Sequence, residues 1–233
     1  MTTATNPRRH PMVSAIAALV VLALETTLLT FAMGGWSALR AWPPALALLG
    51  VWGVSGIALA VLRPIGRQQV VRIERDAFVM VALLVLPYSI PFVSAAGRTL
   101  PSARLDLALA EPLAWLGVAA AALGLGLRVA SMRQLGARFS PLVAVQREHA
   151  LETTGWYSRV RHPGYLGALL ASLGAALAFG TWVALPLWAL MVLAQWARVR
   201  REESLLAGHF GDVWRSYVAR TGAMLPRLGG TRD

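Results

Sequence analysis

The sequence predicts an all-α, polytopic membrane protein with about six transmembrane helices, the last two of which form a C-terminal helical hairpin. Of the 233 residues, 57% are hydrophobic and only 14% are charged. The apolar residues come in long blocks, and about 20 helical residues are enough to cross about 30 Å of hydrocarbon. The remaining polar residues concentrate in segments between and after these blocks, where we expect any chemistry to be located.

Five apolar blocks give the six predicted spans; they cover residues 12–33, 44–62, 77–96, 110–130 and 164–197. The first block is longer than the apolar region of a signal peptide, so we interpret it as a retained span. Pro87 and Pro91 predict a kink in the third span. The last block is too long for one helix and divides at Gly180-Thr181 into the hairpin. Small residues should let the two hairpin helices approach closely; they are Gly167, Ala171, Gly174, Ala175 and Ala178.

The basic residues predict the orientation in the membrane. All 22 are arginines, and the net charge is +11. With six spans only Arg40, Arg98 and Arg104 fall on one side, and the other 19 are assigned to the opposite side, counting Arg128 at the end of the fourth span. Positive charge marks the cytoplasmic side, so both termini should be cytoplasmic, in what we expect to be a bacterial inner membrane. Topology accounts for this charge, and we expect no nucleic-acid partner.

Two kinds of chemistry are not expected from the composition. The sequence has no cysteine, which excludes disulfides, thiolate metal ligands and cysteine nucleophiles. Its four histidines do not form the HExxH pattern of a zinc helix, so we expect no metal site.

The polar segment 146–167 places side chains at the start of a predicted helix. Pro163 disfavours helical geometry at the preceding residue and suits the first helical turn, so Arg161 and His162 should lie at a helix N-terminus beside the membrane. That position suits an anion such as a carboxylate. Aromatic side chains nearby could stack on a flat or cationic group, although such residues also anchor span ends; they are Trp156, Tyr157 and Tyr165.

A second polar segment begins soon after the last apolar block with Glu202 and Glu203. Carboxylates close to a membrane are costly unless they are paired or functional. The pair could belong to a catalytic site, or to a solvated helix face with ion pairs to nearby arginines; the candidates are Arg198, Arg200 and Arg201. The sequence leaves both interpretations open.

Taken together, these motifs resemble those of the isoprenylcysteine carboxyl methyltransferases and of their relatives, the phospholipid N-methyltransferases. The resemblance covers roughly residues 124–228, and its motifs are His149-x-Leu151, Thr154-Gly155-x-Tyr157, Arg161-His162-Pro163-x-Tyr165-x-Gly167, Glu202-Glu203-x-x-Leu206, Phe210-Gly211 and Tyr217-x-x-Arg220. It implies a methyltransferase built from membrane helices, without a Rossmann domain. The only candidate glycine motif, Gly124-Leu125-Gly126, lacks a third glycine, and we interpret it as a helix-packing site.

The resemblance further implies that S-adenosylmethionine binds in a cytoplasmic pocket within a catalytic region, 110–233, while the helices of 1–109 have no assigned role. The residues that it implies for cofactor binding are Gln146, His149, Leu151, Tyr157, Arg161, His162, Pro163 and Tyr165. Those that it implies for catalysis are Arg220, Glu202 and Glu203. Arg220 would position a carboxylate acceptor, whereas a glutamate could deprotonate an amine acceptor.

The expected partners are membrane lipids and a lipophilic small-molecule or lipid substrate, with a carboxylate as the expected methyl acceptor. Trp156 and the Gly180-Thr181 turn depart from the family's pattern and leave the acceptor open. The alternatives are a phospholipid or small-amine N-methyltransferase, an NADPH-dependent sterol-type membrane reductase, and a non-catalytic membrane protein. Neither the oligomeric state nor the role of Glu25 in the first span follows from the sequence.

Overall fold

A computed structural model describes residues 11–62, 70–73, 77–136, 144–146 and 151–227, in which the protein is helical apart from two short strands. The helices are α1 (Pro11–Ala32), α2 (Trp36–Arg40), α3 (Pro43–Leu62), α4 (Ala77–Gly97), α5 (Leu107–Leu135), α6 (Pro163–Leu177), α7 (Leu185–Phe210) and α8 (Asp212–Arg220). The strands β1 (Val70–Ile73) and β2 (Ala144–Gln146) pair antiparallel. The all-α prediction is confirmed.

Four of the helices, α1, α3, α4 and α5, are long and apolar enough to cross a membrane. α6 has 15 residues, which corresponds to about 22 Å at about 1.5 Å per residue. α7 is apolar at its start and continues for 26 residues into the polar segment. The hairpin is confirmed, because Gly180 takes a positive φ of 63° in the turn between α6 and α7. The count of six spans and the kink in α4 stay predictions.

Contacts at the turn between α6 and α7 show that this turn lies at the same end of the helices as the α2–α3 and α4–α5 connections. Trp42 Nε1 donates to the Ala178 carbonyl at 2.8 Å, and Arg98 Nη1 donates to the Phe179 carbonyl at 2.9 Å. Leu105 N donates to the Gly180 carbonyl at 3.0 Å. Carbonyls at a helix C-terminus lack donors within the helix and attract cations, which explains these partners. The β1–β2 pairing joins the connection between α3 and α4 to the one between α5 and α6. These two segments therefore lie together, as the sequence predicts.

The small residues of α6 pack against α5, and the prediction that they hold α6 against α7 is wrong. A Cβ added to Gly124 would lie 2.4 Å from Ala171 N and 2.5 Å from the Gly167 carbonyl oxygen, and one added to Gly174 would lie 2.3 Å from the Gly117 carbonyl oxygen. The physical reason is that both α5 and α6 carry glycines seven residues apart, which lie on one face of each helix and let the backbones touch. The helix-packing role of Gly124 is thereby confirmed.

Substituting Gly124 should therefore destabilise the fold sharply. We expect Gly124→Ala to lower the melting temperature in detergent by about 5 °C or more, because overpacking against backbone costs about 1–3 kcal/mol. The matched control is Gly126→Ala, since nothing lies within 4 Å of a Cβ added there. Thermal unfolding followed by size-exclusion chromatography measures both, and equal melting temperatures would contradict the backbone contact.

Candidate active site

A cavity of about 1060 Å³ lies between the helices. One part of its wall comes from α1, α3 and α4 and is mostly apolar, with side chains such as Leu22, Trp52 and Phe92. The other part comes from α5 to α8 and the loop 151–162 and carries most of the charged groups. Its volume is at the upper end of the range for small-molecule sites. The N-terminal helices, which have no role predicted from the sequence, therefore supply almost half of the residues that line the cavity.

The start of α6 lies where the sequence predicts it. Pro163 is the first residue of the helix and His162 precedes it as the N-cap. The backbone N–H groups of Arg161 and His162 donate to the carbonyls of Gly222 and Ala223, each at 2.9 Å. The chain after α8 thereby holds the loop before α6 in place, and both side chains reach the cavity wall.

One oxygen of Glu203 ties this loop to α7. Glu203 Oε1 accepts from Arg161 Nε at 2.7 Å and from His162 Nε2 at 3.1 Å. Burial alone would raise the pKa of Glu203, but the hydrogen bonds from His162 and Arg161 outweigh it and lower the pKa to about 2. Arg161 Nη1 also donates to the Thr221 carbonyl. Glu203 is thus ion-paired with the loop rather than with a neighbouring arginine of its own helix.

The adjacent Glu202 points to a different group. Tyr165 donates its hydroxyl to Glu202 Oε2 at 2.6 Å, and the same hydroxyl oxygen accepts from Arg198 Nε at 2.9 Å. The imidazole of His162 is stacked on the Tyr165 ring, with centroids 5.4 Å apart and planes 2° from parallel. Glu202, Tyr165 and Arg198 all line the cavity. They place a carboxylate, a hydroxyl and a guanidinium side by side on its wall.

Aromatic side chains complete the polar part of the wall. Tyr217 donates to the Tyr157 carbonyl at 2.6 Å, and burial raises the pKa of Tyr217 to about 12. Burial also raises the pKa of Tyr157, whose hydroxyl faces the Ser131 carbonyl at 3.4 Å. Both tyrosines therefore stay neutral at physiological pH. The Trp214 ring lies beside them, with the Arg161 guanidinium 5.9 Å from its centroid.

Arg128 lines the cavity but was not among the site residues predicted from the sequence. It lies on α5 within a candidate membrane span, lines the cavity, and donates through Nη1 to the Gly164 carbonyl at 3.2 Å. Within the described residues no carboxylate forms an ion pair with it. A charged residue inside a span was the available signal, because such residues are costly and usually functional. Glu25 on α1 carries the same signal and lines the same cavity.

The structure brings together most, but not all, of the predicted site residues. Those that line the cavity are Leu151, Tyr157, Arg161, His162, Tyr165 and Glu202. Pro163 and Glu203 support this wall without belonging to it, and Arg220 is exposed at the end of α8 and does not line the cavity. Gln146 lies in β2, where only its backbone is described, and His149 lies outside the described residues. The functional roles of all these residues stay predictions.

Replacing Glu203 should change stability in a pH-dependent way. Its folded pKa of about 2 lies below the ordinary 4.5, so the ionised group stabilises the protein above about pH 4.5, and this contribution is lost as the pH falls through 2. We expect Glu203→Gln to be less stable than the wild type by a few kcal/mol at pH 7, with a smaller difference near pH 3. Unfolding in detergent across this pH range measures it.

The matched control for that experiment is Asp212→Asn. Asp212 pairs with Arg215 through side chains that are 88% and 73% exposed, and exposed pairs contribute little. A Glu203→Gln variant as stable at pH 7 as this control would contradict the stabilising role of the partly buried carboxylate.

Part of this chain is similar to known methyltransferases. The phospholipid methyltransferase family matches residues 113–213. The chain is 36% identical over 109 residues to a protein-S-isoprenylcysteine O-methyltransferase of Schizosaccharomyces pombe, covering 46% of each chain. It is 30% identical over 121 residues to the protein of the same name in Tribolium castaneum, covering 49% of this chain and 42% of that one. The chain thus spans about half the length of the curated relatives it matches.

A solved structure of a eukaryotic intramembrane Ras methyltransferase, isoprenylcysteine carboxyl methyltransferase, is 22% identical, with a TM-score of 0.49 over 98% of this chain and 89% of that one. Both curated relatives are eukaryotic, so they lend no support to the expected bacterial membrane. The four long apolar helices indicate an integral membrane protein. Residues 113–213 are thus similar to the phospholipid methyltransferases, and about half of the chain is similar to protein-S-isoprenylcysteine O-methyltransferases, as its motifs predict.

Proposed function

We propose that the protein transfers a methyl group from S-adenosylmethionine to a lipophilic carboxylate at the cytoplasmic surface of the membrane. The observation that carries this proposal is the guanidinium of Arg128, which faces the cavity without a carboxylate partner among the described residues. A partly buried cation without a carboxylate partner favours the binding of an anion. The apolar wall of the same cavity suits the rest of a lipophilic acceptor.

The polar part of the cavity fits S-adenosylmethionine, which combines an adenine ring, ribose hydroxyls, an ammonium and a carboxylate. The rings of Tyr157 and Trp214 suit the adenine, and the carboxylates of Glu152 and Glu202 suit the hydroxyls or the ammonium. Arg161 suits the carboxylate. When bound, the cofactor supplies a methyl group activated by its attachment to a sulfonium. Glu203 then acts as a positioning residue, because it fixes Arg161 and His162.

A carboxylate acceptor can be methylated without a proton transfer by the protein. It is already ionised at neutral pH and needs no general base, so the protein must mainly align it and exclude water. Arg128 is our candidate for holding it, with Arg198 beside it on the wall. Inside a cavity of low dielectric such an attraction is much stronger than in water. Arg220 remains the second candidate, as the family resemblance implies.

An amine acceptor is the second candidate function. The carboxylate of Glu202 lines the cavity and could accept the proton that an ammonium must lose before methylation. The match of residues 113–213 to the phospholipid methyltransferases agrees with this chemistry. Parallel assays with a lipophilic carboxylate and with a phospholipid amine separate the two functions.

Cofactor choice tests the proposal against a reductase and against a non-catalytic protein. We expect calorimetry on the detergent-purified protein to show micromolar binding of S-adenosylmethionine and S-adenosylhomocysteine and none of NADPH. His162→Ala should weaken adenosyl binding about tenfold, since it removes a ring that stacks on Tyr165 and a partner of Glu203. Binding of NADPH alone would support a reductase instead, and a folded protein that binds neither would indicate a non-catalytic role.

Two arginine variants test which guanidinium holds the acceptor. We expect Arg128→Gln to lower kcat/KM for a lipophilic carboxylate about a hundredfold or more, while the affinity for S-adenosylhomocysteine changes less than about twofold. Arg220→Gln should behave like Arg215→Gln, an exposed control whose partner is Asp212. Methyl-transfer kinetics and calorimetry measure these effects. Full activity in Arg128→Gln combined with loss in Arg220→Gln would reverse the assignment.

A further inference from the structure

One buried amide nitrogen in the cavity wall has no hydrogen-bond partner among the described residues. Gln195 is only 4% exposed, and its Nε2 is the one buried side-chain polar atom without a hydrogen-bond partner in the part of the chain that the structure describes. Buried polar groups in native proteins are nearly always hydrogen-bonded, and each exception calls for an explanation. Gln195 lines the same cavity as Arg128 and Tyr165, so a bound molecule can supply the missing partner.

The position of Gln195 along α7 shows which part of a bound molecule it meets. It precedes Arg198 by three residues and Glu202 by seven, so the three side chains share one face of the helix, and all three line the cavity. At about 1.5 Å per residue, Gln195 lies about 4.5 Å deeper than Arg198. Met191, four residues before it, is an apolar part of the same wall. The amide therefore lies where the charged part of the cavity gives way to its apolar part.

We propose that Gln195 is a specificity-determining residue that donates a hydrogen bond to a neutral carbonyl oxygen of the acceptor, about one helical turn deeper than the group that is methylated. The inference rests on the proposed function and adds to it the chemical class of the acceptor. An amide nitrogen of glutamine only donates hydrogen bonds, which selects an oxygen and disfavours an ammonium. The guanidinium groups hold the carboxylate nearer the surface, which leaves the amide for an uncharged oxygen.

Such a group discriminates between acceptors by the cost of leaving it unpaired. A site built to hydrogen-bond one substrate group disfavours an analogue that lacks it, because its own buried polar atom then stays without a partner. A lipophilic carboxylate with an amide carbonyl a few bonds from the carboxylate should therefore bind better than the same molecule without the amide. An apolar chain ending in a carboxylate alone would leave Gln195 Nε2 unsatisfied.

The experiment compares two probes and two variants. N-acetyl-S-farnesyl-L-cysteine carries a farnesyl chain, a carboxylate and an amide carbonyl, and 3-(farnesylthio)propionate lacks the amide. Gln195→Met removes the donor and keeps a side chain of similar length. Leu193→Met is the control, because Leu193 lies on the same helix and is 66% exposed. Steady-state kinetics give KM and kcat for both probes, and calorimetry gives the affinity for S-adenosylhomocysteine.

We expect Gln195→Met to raise KM for the amide probe about three- to tenfold and to leave KM for the other probe within about twofold. The values of kcat and the affinity for S-adenosylhomocysteine should stay unchanged. The melting temperature should not fall, because the variant loses an unpaired donor. Equal changes in KM with both probes, or no change with either, would overturn the inference.

The outcomes also separate this inference from the proposed function. If the wild-type protein binds S-adenosylhomocysteine but methylates neither probe, the proposed acceptor class is wrong and the role of Gln195 is wrong with it. If the protein methylates both probes and Gln195→Met changes KM equally for both, the proposed function stands and only the role of Gln195 is rejected.

Discussion

Backbone contact between α5 and α6 determines where the charged groups of the cavity lie. At the level of Gly124 and Gly167 the two helices leave no room for a Cβ, and a Cβ on Gly167 would also lie 2.8 Å from Arg128 N. This contact brings Arg128 beside the first turn of α6, where it donates to the Gly164 carbonyl. The glycines let α5 and α6 approach closely, and only for this reason can the Arg128 guanidinium of α5 and Tyr165 of α6 line the same cavity.

A second constraint comes from the length of α7, which continues as one helix from the apolar part of the fold to Phe210. Successive residues on a helix point about 100° apart, and this explains why two adjacent glutamates have different partners. Glu202 faces the cavity and accepts from Tyr165, while Glu203 turns toward Arg161 and His162. The helix thereby joins the cavity wall to the loop that precedes α6.

The local features of this fold could be predicted from the sequence, and the contacts between distant segments could not. Block length predicted the apolar helices, and Pro163 predicted the placement of His162, because both depend on the chain's own geometry. The small residues of α6 were recognised, but their partner was not, because small side chains favour close packing without specifying a helix. Arg128 was counted only toward topology, since a local pattern does not show which side of a span faces a cavity.

The charges inside the spans are tolerable because they face the cavity, which is also the place where the proposed lipophilic acceptor would bind. Arg128 and Glu25 would be costly in contact with hydrocarbon, but both line the cavity. Methyl transfer from a sulfonium to a carboxylate removes one positive and one negative charge, so the product is a neutral ester. Such a product suits the apolar wall formed by α1, α3 and α4 better than the ionised acceptor does. An amine acceptor keeps its positive charge after methylation and loses this advantage, so the apolar wall suits the proposed carboxylate acceptor better than an amine.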